Sequence, residues 1–320
     1  MDKTWGDVHE TDFLTECHSL VKLAVIQLLG GMPLDDAGTR DLNEIMDYFV
    51  RRNSTGEIPT FNKEDARMIK KMTPFCKRMI EWNKKDGNSE NTNANKKYGL
   101  VANMLKTGKY EDWEIINIFI NLVVAGGETP ALVCCKALAA MIANPDVMAK
   151  AVKEIDDVVG EGDLDVDHLP ELEYLDCCIK EGLRRYAPAT VVGRSVKEPV
   201  TLCGYEVPAG SSLHVNIHAV QMDPKIWPNP EKFDPTRHEK GNDNHEYGYI
   251  AFGAGSRGCP GKRAYYCLAK ALLGSILKRY KAEATYRGNE NNGVDLDTFL
   301  PNRFVAWDTN GINIKFTRRS

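Results

Sequence analysis

The chain has 320 residues, of which 42% are hydrophobic and 27% are charged. This composition is typical of a soluble globular protein and excludes a collagen-like repeat, a disordered chain or a bundle of membrane helices. With 41 basic and 45 acidic residues the net charge is −4, so the charge of the whole chain gives no support to nucleic-acid binding. The length corresponds to about two average domains, which leaves the number of domains open.

The cysteines and the apolar runs exclude further classes of protein. Nine cysteines are an odd number and no Cys-x-x-Cys pair occurs, which disfavours a disulfide framework or a zinc ribbon. The N-terminal segment carries acids where a signal peptide needs basic and apolar residues, so we expect the chain as given to be cytoplasmic. The longest apolar run without charge, Ile115 to Gly127, is shorter than the roughly 20 residues that span a bilayer. We therefore expect no transmembrane segment in this chain.

The first half of the chain has the periodicity of α-helices. Apolar residues at helical spacing predict helices within residues 11–50 and again over residues 63–84. Residues 86–97 have almost no apolar side chains and predict an exposed loop. Residues 111–142 then predict one long apolar helix, which starts with acids and ends before Asn144-Pro145.

The second half begins with two more predicted helices, over residues 145–159 and 172–186. β-Branched residues between glycines and prolines then predict three short strands, over residues 191–196, 200–202 and 213–217. An irregular proline-rich stretch at 223–248 precedes a last helix over residues 262–280 and hairpin-like pieces that end at 314–316. Together these elements predict a mainly α fold with small β-sheets. Strands and helices do not alternate as a doubly wound sheet requires.

The most informative motif is the glycine-rich segment FGAGSRGCPG, from Phe252 to Gly261. It contains a literal G-x-G-x-x-G, the pattern of dinucleotide-binding loops. Such a loop needs an acid about 20 residues downstream to hold the ribose. The sequence there is Leu277-Lys278-Arg279, and Pro260 interrupts the glycine turn. Dinucleotide binding is therefore disfavoured.

Cys259, inside this segment, has the surroundings of a thiolate metal ligand. Glycines at 255, 258 and 261 allow the backbone to curl so that amides approach the sulfur. Arg257 supplies a cation two residues away, suited to bidentate pairing with a carboxylate. An isolated cysteine beside a glycine turn is more often a simple buried residue, and the surrounding pattern decides against that alternative.

The segment resembles the haem-binding loop of the cytochrome P450 family, F-x-x-G-x-R-x-C-x-G. All five fixed positions are present, at Phe252, Gly255, Arg257, Cys259 and Gly261. The resemblance implies haem b (iron protoporphyrin IX) as the cofactor and Cys259 as the thiolate ligand of its iron. It also implies that Arg257 holds a haem propionate. The other residues that it places beside the cofactor are Phe252, Gly253 and Gly261.

Two further segments resemble motifs of the same family. Glu181 and Arg184 stand in KEGLRRYAP, which is similar to the E-x-x-R helix, and Arg237 stands in FDPTR, which is similar to the F-x-P-x-R segment. The resemblance implies that these three residues form a buried ion triad with a structural role. Taken alone, an i,i+3 pair is more often a solvated surface pair worth under about 0.5 kcal/mol. His238 is a departure, since the family often has an aromatic residue there.

The long predicted helix contains Ala125-Gly-Gly-Glu-Thr129-Pro130, which resembles the oxygen-binding groove of the family. Pro130 has no N–H for the carbonyl of Gly126, so we expect the helix to open locally. The resemblance implies that Ala125 and Gly126 contact the cofactor. It makes Glu128 and Thr129 catalytic residues, with Glu128 passing protons inward. The alternative for the glycines is a kink for helix packing.

The resemblance carries two further surface assignments. Arg194 is similar in position to a strand arginine that reaches a second haem propionate. Three basic residues of the last predicted helix are expected to contact an acidic electron-donor protein, a reductase or ferredoxin, which passes on electrons from NADPH or NADH. These residues are Lys262, Arg263 and Lys270. The alternative for them is a solvated helix face.

The resemblance runs from about Asp12 to the C-terminus and implies a single cytochrome P450-like domain over residues 1–320, the C-terminal two thirds of the family fold. It implies a haem-thiolate monooxygenase that inserts one atom of dioxygen into an apolar small molecule. Two alternatives stay open, a haem-thiolate enzyme that rearranges or uses peroxides and a non-catalytic truncated paralogue. The acid-alcohol pair at 128–129 counts against the first, and the missing beginning of the family fold favours the second. A longer form with an N-terminal anchor would associate with the endoplasmic reticulum membrane.

Overall fold

The structure is a computed structural model that describes residues 5–32, 44–45, 48, 62–86, 99–242, 245–285 and 312–319. The chain divides into two compact units. The first consists of Met1–Phe13 and Val133–Ser320, and the second is Leu14–Leu132. The predicted loop at 86–97 lies outside the described residues except for Asp86, which ends a helix. That the whole chain is one domain stays a prediction.

The described residues of the second unit lie mostly in helices. Helix α1 spans Phe13–Gly30, α2 spans Lys63–Asp86 and α3 spans Leu100–Thr107, while α4 begins at Asp112 and ends at Ala143 in the first unit. The predictions over 63–84 and 111–142 are confirmed to within two residues. Helix α2 begins where the sequence indicates because the side-chain oxygen of Asn62 accepts the backbone N–H groups of residues 64 and 65.

Two of the described helices, α1 and α4, are long and apolar enough to cross a membrane by length and composition. The most apolar windows of the two helices are 39% and 50% buried. A buried core helix of a soluble protein has the same character. The absence of a transmembrane segment therefore stays a prediction.

Besides the end of α4, the described residues of the first unit contain the helices α5 (Pro145–Val159), α6 (Glu173–Arg185), α7 (Ile217–Gln221) and α8 (Lys262–Arg279). The sequence predicted α5, α6 and α8 to within one residue at each end, and it did not predict α7. Glu154 of α5 positions the start of α6, because its carboxylate accepts the N–H groups of Tyr174 and Leu175 at 2.6 and 2.8 Å.

The described strands form three small antiparallel sheets in the first unit. Strand β1 (Val8–Asp12) pairs with β7 (Asn313–Arg318), which pairs with β6 (Tyr280–Ala284). The two other sheets each have two strands: β2 (Val191–Ser195) with β5 (Ser212–Asn216), and β3 (Val200–Leu202) with β4 (Tyr205–Val207). The predicted mainly α fold with small sheets is confirmed. Strand β1 was not predicted, because its partner lies about 300 residues away in the sequence.

A close helix contact lies in the core of the first unit, where α6 meets the end of α4. A Cβ added at Gly182 would come within 2.9 Å of the Cβ of Ala137, so only glycine permits this approach. We expect Gly182→Ala to lower the free energy of unfolding by about 1–3 kcal/mol, measured by urea unfolding. Gly193→Ala is the matched control, because a Cβ there meets no atom within 4 Å. Equal stabilities of the two variants would contradict the contact.

The C-terminal strand is held by a salt bridge to α5. The guanidinium of Arg319 donates to both carboxylate oxygens of Asp156, at 3.1 and 2.5 Å, and the backbone N–H of Arg319 donates to the carbonyl of Arg279. The hydrogen bond from Arg319 lowers the pKa of Asp156, although partial burial acts in the opposite direction. The pair therefore fixes the end of the chain to the helical part of its unit.

Candidate functional site

Cys259 lies in the loop before α8, and its thiol is exposed. The N–H of Cys259 donates to the carbonyl of Phe252 at 2.8 Å, and the N–H of Gly258 donates to the carbonyl of Gly255 at 3.0 Å. Gly253 and Gly255 have φ angles of +69° and +68°, which side chains rarely adopt. The glycines of the motif therefore close this loop upon itself and present the cysteine at its surface.

The sulfur of Cys259 lies beside the start of a helix. Gly261 is the N-cap residue directly before α8, and a Cβ there would be 3.7 Å from Sγ. The N–H groups of the first turn of a helix have no partner within the helix, and they can donate to a nearby acceptor. An exposed thiol in this position has the donor chemistry that haem iron requires. The loop therefore fits the cofactor that the sequence implies.

Phe252 and Arg257 differ in their exposure to solvent. Phe252 is half-buried, and its ring centroid lies 5.5 Å from those of Tyr265 and Tyr266 on α8. This aromatic contact holds the beginning of the loop against the helix that follows it. Arg257 is exposed in a single 3-10 turn, Gly255–Arg257. Its guanidinium is therefore accessible to the carboxylate of a bound molecule.

A buried ion pair joins α6 to the segments that follow it. Glu181 and Arg184 are 0% exposed, and the guanidinium donates to both carboxylate oxygens at 2.8 and 2.9 Å. The remaining donors of Arg184 reach the carbonyls of Gln221 at 2.8 Å and Pro230 at 2.6 Å. The guanidinium thus connects α6 both to α7 and to the proline-rich stretch.

Glu181 also accepts hydrogen bonds from the proline-rich stretch. The N–H of Asp234 lies 3.0 Å from Oε1, and Nε2 of His238 lies 2.9 Å from Oε2. Nε of Arg237 is 3.5 Å from Oε1, and Nη2 of the same residue donates to the carbonyl of Asn229. His238 therefore makes a closer contact with the carboxylate than the predicted third member, Arg237. Sequence reasoning missed this role, although a histidine in an aromatic position next to a predicted ion triad was the signal.

The electrostatic balance at Glu181 favours its ionised form. Burial raises the pKa of the carboxyl, but the hydrogen bonds from His238 and Arg184 and the attraction of Arg184 outweigh it, so the pKa lies below its ordinary value. The carboxylate is therefore charged at neutral pH. Its charge is compensated by Arg184, whose guanidinium is itself held by the carbonyls of Gln221 and Pro230.

Helix α4 carries the second predicted motif within the unit Leu14–Leu132. The hydroxyl of Thr129 donates to the carbonyl of Ala125 at 2.9 Å, and Glu128 is half-buried. A Cβ added at Gly126 would lie 3.3 Å from Cγ1 of Val25 on α1. This contact is what the helix-packing alternative predicts for that glycine. The expected local opening at Pro130 does not interrupt the helix, which runs from Asp112 to Ala143.

The remaining predicted residues differ in how far they reach solvent. Arg194 is exposed on β2, and its guanidinium donates to the carbonyl of the preceding residue at 2.8 Å. Lys262 and Arg263 are exposed in the first turn of α8. Lys270 is half-buried, and its ammonium donates to the carbonyl of Leu169 at 2.5 Å. The ammonium of Lys270 thus has a partner within its own unit, which the sequence did not indicate.

Comparison with known proteins gives one consistent result. The sequence profile of the family described as Cytochrome P450 matches residues 43–300. The curated relatives include taurochenodeoxycholic 6 alpha-hydroxylase of Sus scrofa, 30% identical over 244 residues that cover 73% of this chain and 48% of the relative. Cytochrome P450 4V2 of Homo sapiens is 34% identical over 61% of this chain and 37% of the relative. 7-Ethoxycoumarin O-deethylase of Helianthus tuberosus is 30% identical over 57% of this chain and 42% of the relative. The matches span less than half the length of these relatives.

Proposed function

The chain belongs to the cytochrome P450 family, and from this premise we propose that it is the haem-thiolate part of a monooxygenase. The proposed reaction inserts one atom of dioxygen into an apolar small molecule. The observation that carries the proposal is the exposed thiol of Cys259 in a closed glycine loop directly before α8. The hydroxylase and the O-deethylase among the relatives support the same class of reaction.

Haem b would be held by the loop residues. Cys259 would supply the thiolate ligand. The exposed Arg257 would pair with one propionate, while Phe252, Gly253 and Gly261 would shape the backbone and the aromatic wall beside the sulfur. When bound, haem supplies the binding and reductive activation of dioxygen. Arg194 on β2 is exposed and is our candidate for the second propionate.

Helix α4 would supply the proton-handling groups. The hydroxyl hydrogen of Thr129 is donated to Ala125, so its oxygen keeps lone pairs with which to accept a hydrogen bond. The half-buried carboxyl of Glu128 would carry protons inward from solvent as a general acid. Ala125 is exposed and is a candidate for cofactor contact. For Gly126, the neighbouring Val25 favours a packing role instead.

Electrons would reach the haem from NADPH or NADH through an acidic donor protein, a reductase or a ferredoxin. Lys262 and Arg263 are exposed on the first turn of α8, close in sequence to Cys259, and would contact this donor. Lys270 would contribute less, because its ammonium already donates to a backbone carbonyl.

The visible absorption spectrum of the 320-residue chain with added haem tests the proposal. After reduction under carbon monoxide, thiolate ligation gives a strongly red-shifted Soret band, and we expect this band to be lost in Cys259→Ala. Cys267→Ala is the matched control, because Cys267 is also exposed and lies on α8. Absence of the band from the unmodified chain, or its persistence in Cys259→Ala, would contradict the proposal. Substrate turnover is then measured with 7-ethoxycoumarin, an apolar compound named in one of the relatives.

A further inference from the structure

His238 lies between the buried ion pair and a group of aromatic rings. Its side chain is 4% exposed, and its Nε2 lies 2.9 Å from the carboxylate of Glu181. Because a carboxylate oxygen only accepts, Nε2 carries the hydrogen of this bond. The imidazole ring lies 5.7 Å from the ring of Trp227 and 5.3 Å, edge to face, from the ring of Tyr249. The hydrogen bond and the two ring contacts together fix the orientation of the imidazole.

The contacts continue from Tyr249 to the cysteine loop. The hydroxyls of Tyr249 and Tyr266 lie 3.0 Å apart, and Tyr266 belongs to α8. The ring of Tyr266 lies 5.5 Å from that of Phe252, whose carbonyl accepts the N–H of Cys259 at 2.8 Å. An uninterrupted series of side-chain contacts thus connects the carboxylate of Glu181 with the backbone of the cysteine.

The central link of this series does not depend on pH in the ordinary range. Burial raises the pKa of Tyr249 well above its ordinary value, and burial also raises that of Tyr266. Both phenols therefore stay protonated at neutral pH, and the hydrogen bond between them persists. Buried polar groups that are all satisfied make a rigid network, whereas loss of one member loosens its neighbours.

We propose that His238 is a positioning residue for the Cys259 loop and acts through Tyr249 and Tyr266. The loop is rigid because the imidazole, held by Glu181, holds Tyr249, which in turn holds α8 and the ring of Phe252. The predicted ion triad consists of Glu181, Arg184 and Arg237 and does not include His238. The role of His238 therefore goes beyond that triad. The inference rests on the proposed function only in that Cys259 is the haem ligand. The contacts themselves belong to the haem-free chain.

Hydrogen exchange of the Cys259 amide in the haem-free, 320-residue chain tests the series directly. His238→Phe keeps a ring between Trp227 and Tyr249 but removes the bond to Glu181, and Tyr266→Phe removes only a hydroxyl. We expect each change to accelerate exchange about three- to tenfold, the effect of losing one hydrogen bond in a local opening. In the double variant we expect no more acceleration than in the more affected single variant, because members of one network are not additive.

Arg319→Met is the matched control for stability. It removes the salt bridge to Asp156 in the same unit, and it touches no member of the series. We expect it to leave exchange at Cys259 unchanged under native conditions, although it lowers the urea midpoint. Unchanged exchange in His238→Phe, additive effects in the double variant, or equal acceleration in Arg319→Met would each overturn the proposal.

The haem-bound chain provides a second, spectroscopic readout. His238→Phe is expected to convert part of the red-shifted Soret band to a band without thiolate ligation, and His238→Gln, which retains an N–H donor, is expected to restore part of it. A purely structural role of His238 would change the amount of folded protein and not the shape of the band. If the unmodified chain takes up no haem, the proposed function fails, while the exchange experiment still decides whether His238 positions the loop.

Discussion

Glu181→Ala is expected to lower the free energy of unfolding by about 3–5 kcal/mol, because it leaves the guanidinium of Arg184 buried without its carboxylate. Arg184→Ala is expected to have an effect of the same size for the converse reason. Urea unfolding of the 320-residue chain, followed by circular dichroism, measures both. Lys240→Ala is the control, since it breaks only the exposed pair with Glu173, and we expect it to leave the urea midpoint unchanged.

The pH dependence of stability separates the charge of Glu181 from its packing. Its pKa is lowered in the folded chain, so its stabilisation is fully present above the unfolded value of about 4.3 and is lost as the pH falls through the folded value. Glu181→Gln keeps the shape of the side chain and removes this titration. Other carboxyls with lowered pKa values, such as those of Asp156 and Asp234, remain in both proteins. We therefore expect the stability of the unmodified chain to fall more steeply with acid than that of Glu181→Gln. Equal acid slopes would show that the carboxyl is not ionised in the folded chain.

Glu128→Gln is expected to lower kcat for the 7-ethoxycoumarin probe by about 10²- to 10⁴-fold, the usual contribution of a positioned general acid. KM should change little, because the substitution preserves size and removes only the ionisable proton. Turnover is measured with saturating electron donor, and the Soret band under carbon monoxide is recorded to show that haem is still bound.

The control for Glu128 lies on the same helix. Glu114 stands in the first turn of α4, where its carboxylate accepts the N–H of Glu111 at 2.9 Å, and Glu114→Gln is expected to leave kcat unchanged. If Glu128→Gln behaves like Glu114→Gln, then Glu128 has no part in proton transfer. A loss of the Soret band in Glu128→Gln would instead assign the residue to cofactor binding.

The positions of most helices could be predicted because their signals are local. Apolar periodicity and end signals lie within the segment that they describe, and the bounds of α4, α5 and α6 agree with the predictions to within one residue. Four short elements were not predicted: β1, α3, β4 and α7. Strand β1 pairs with β7, about 300 residues away, so its signal is not local. The other three have only three to eight residues, which is too short for a clear periodicity.

The residues of the candidate site likewise differ in whether their contacts are local or join distant parts of the sequence. The shape of the cysteine loop depends on local residues, because the glycines, Cys259 and the start of α8 are neighbours along the chain. Two other contacts became visible only in the folded chain: His238 lies closer to Glu181 than Arg237 does, and the ammonium of Lys270 donates to a backbone carbonyl. These contacts join residues separated by some 50 to 100 positions. Their distances depend on how helices and the proline-rich stretch pack, which local residue patterns do not encode.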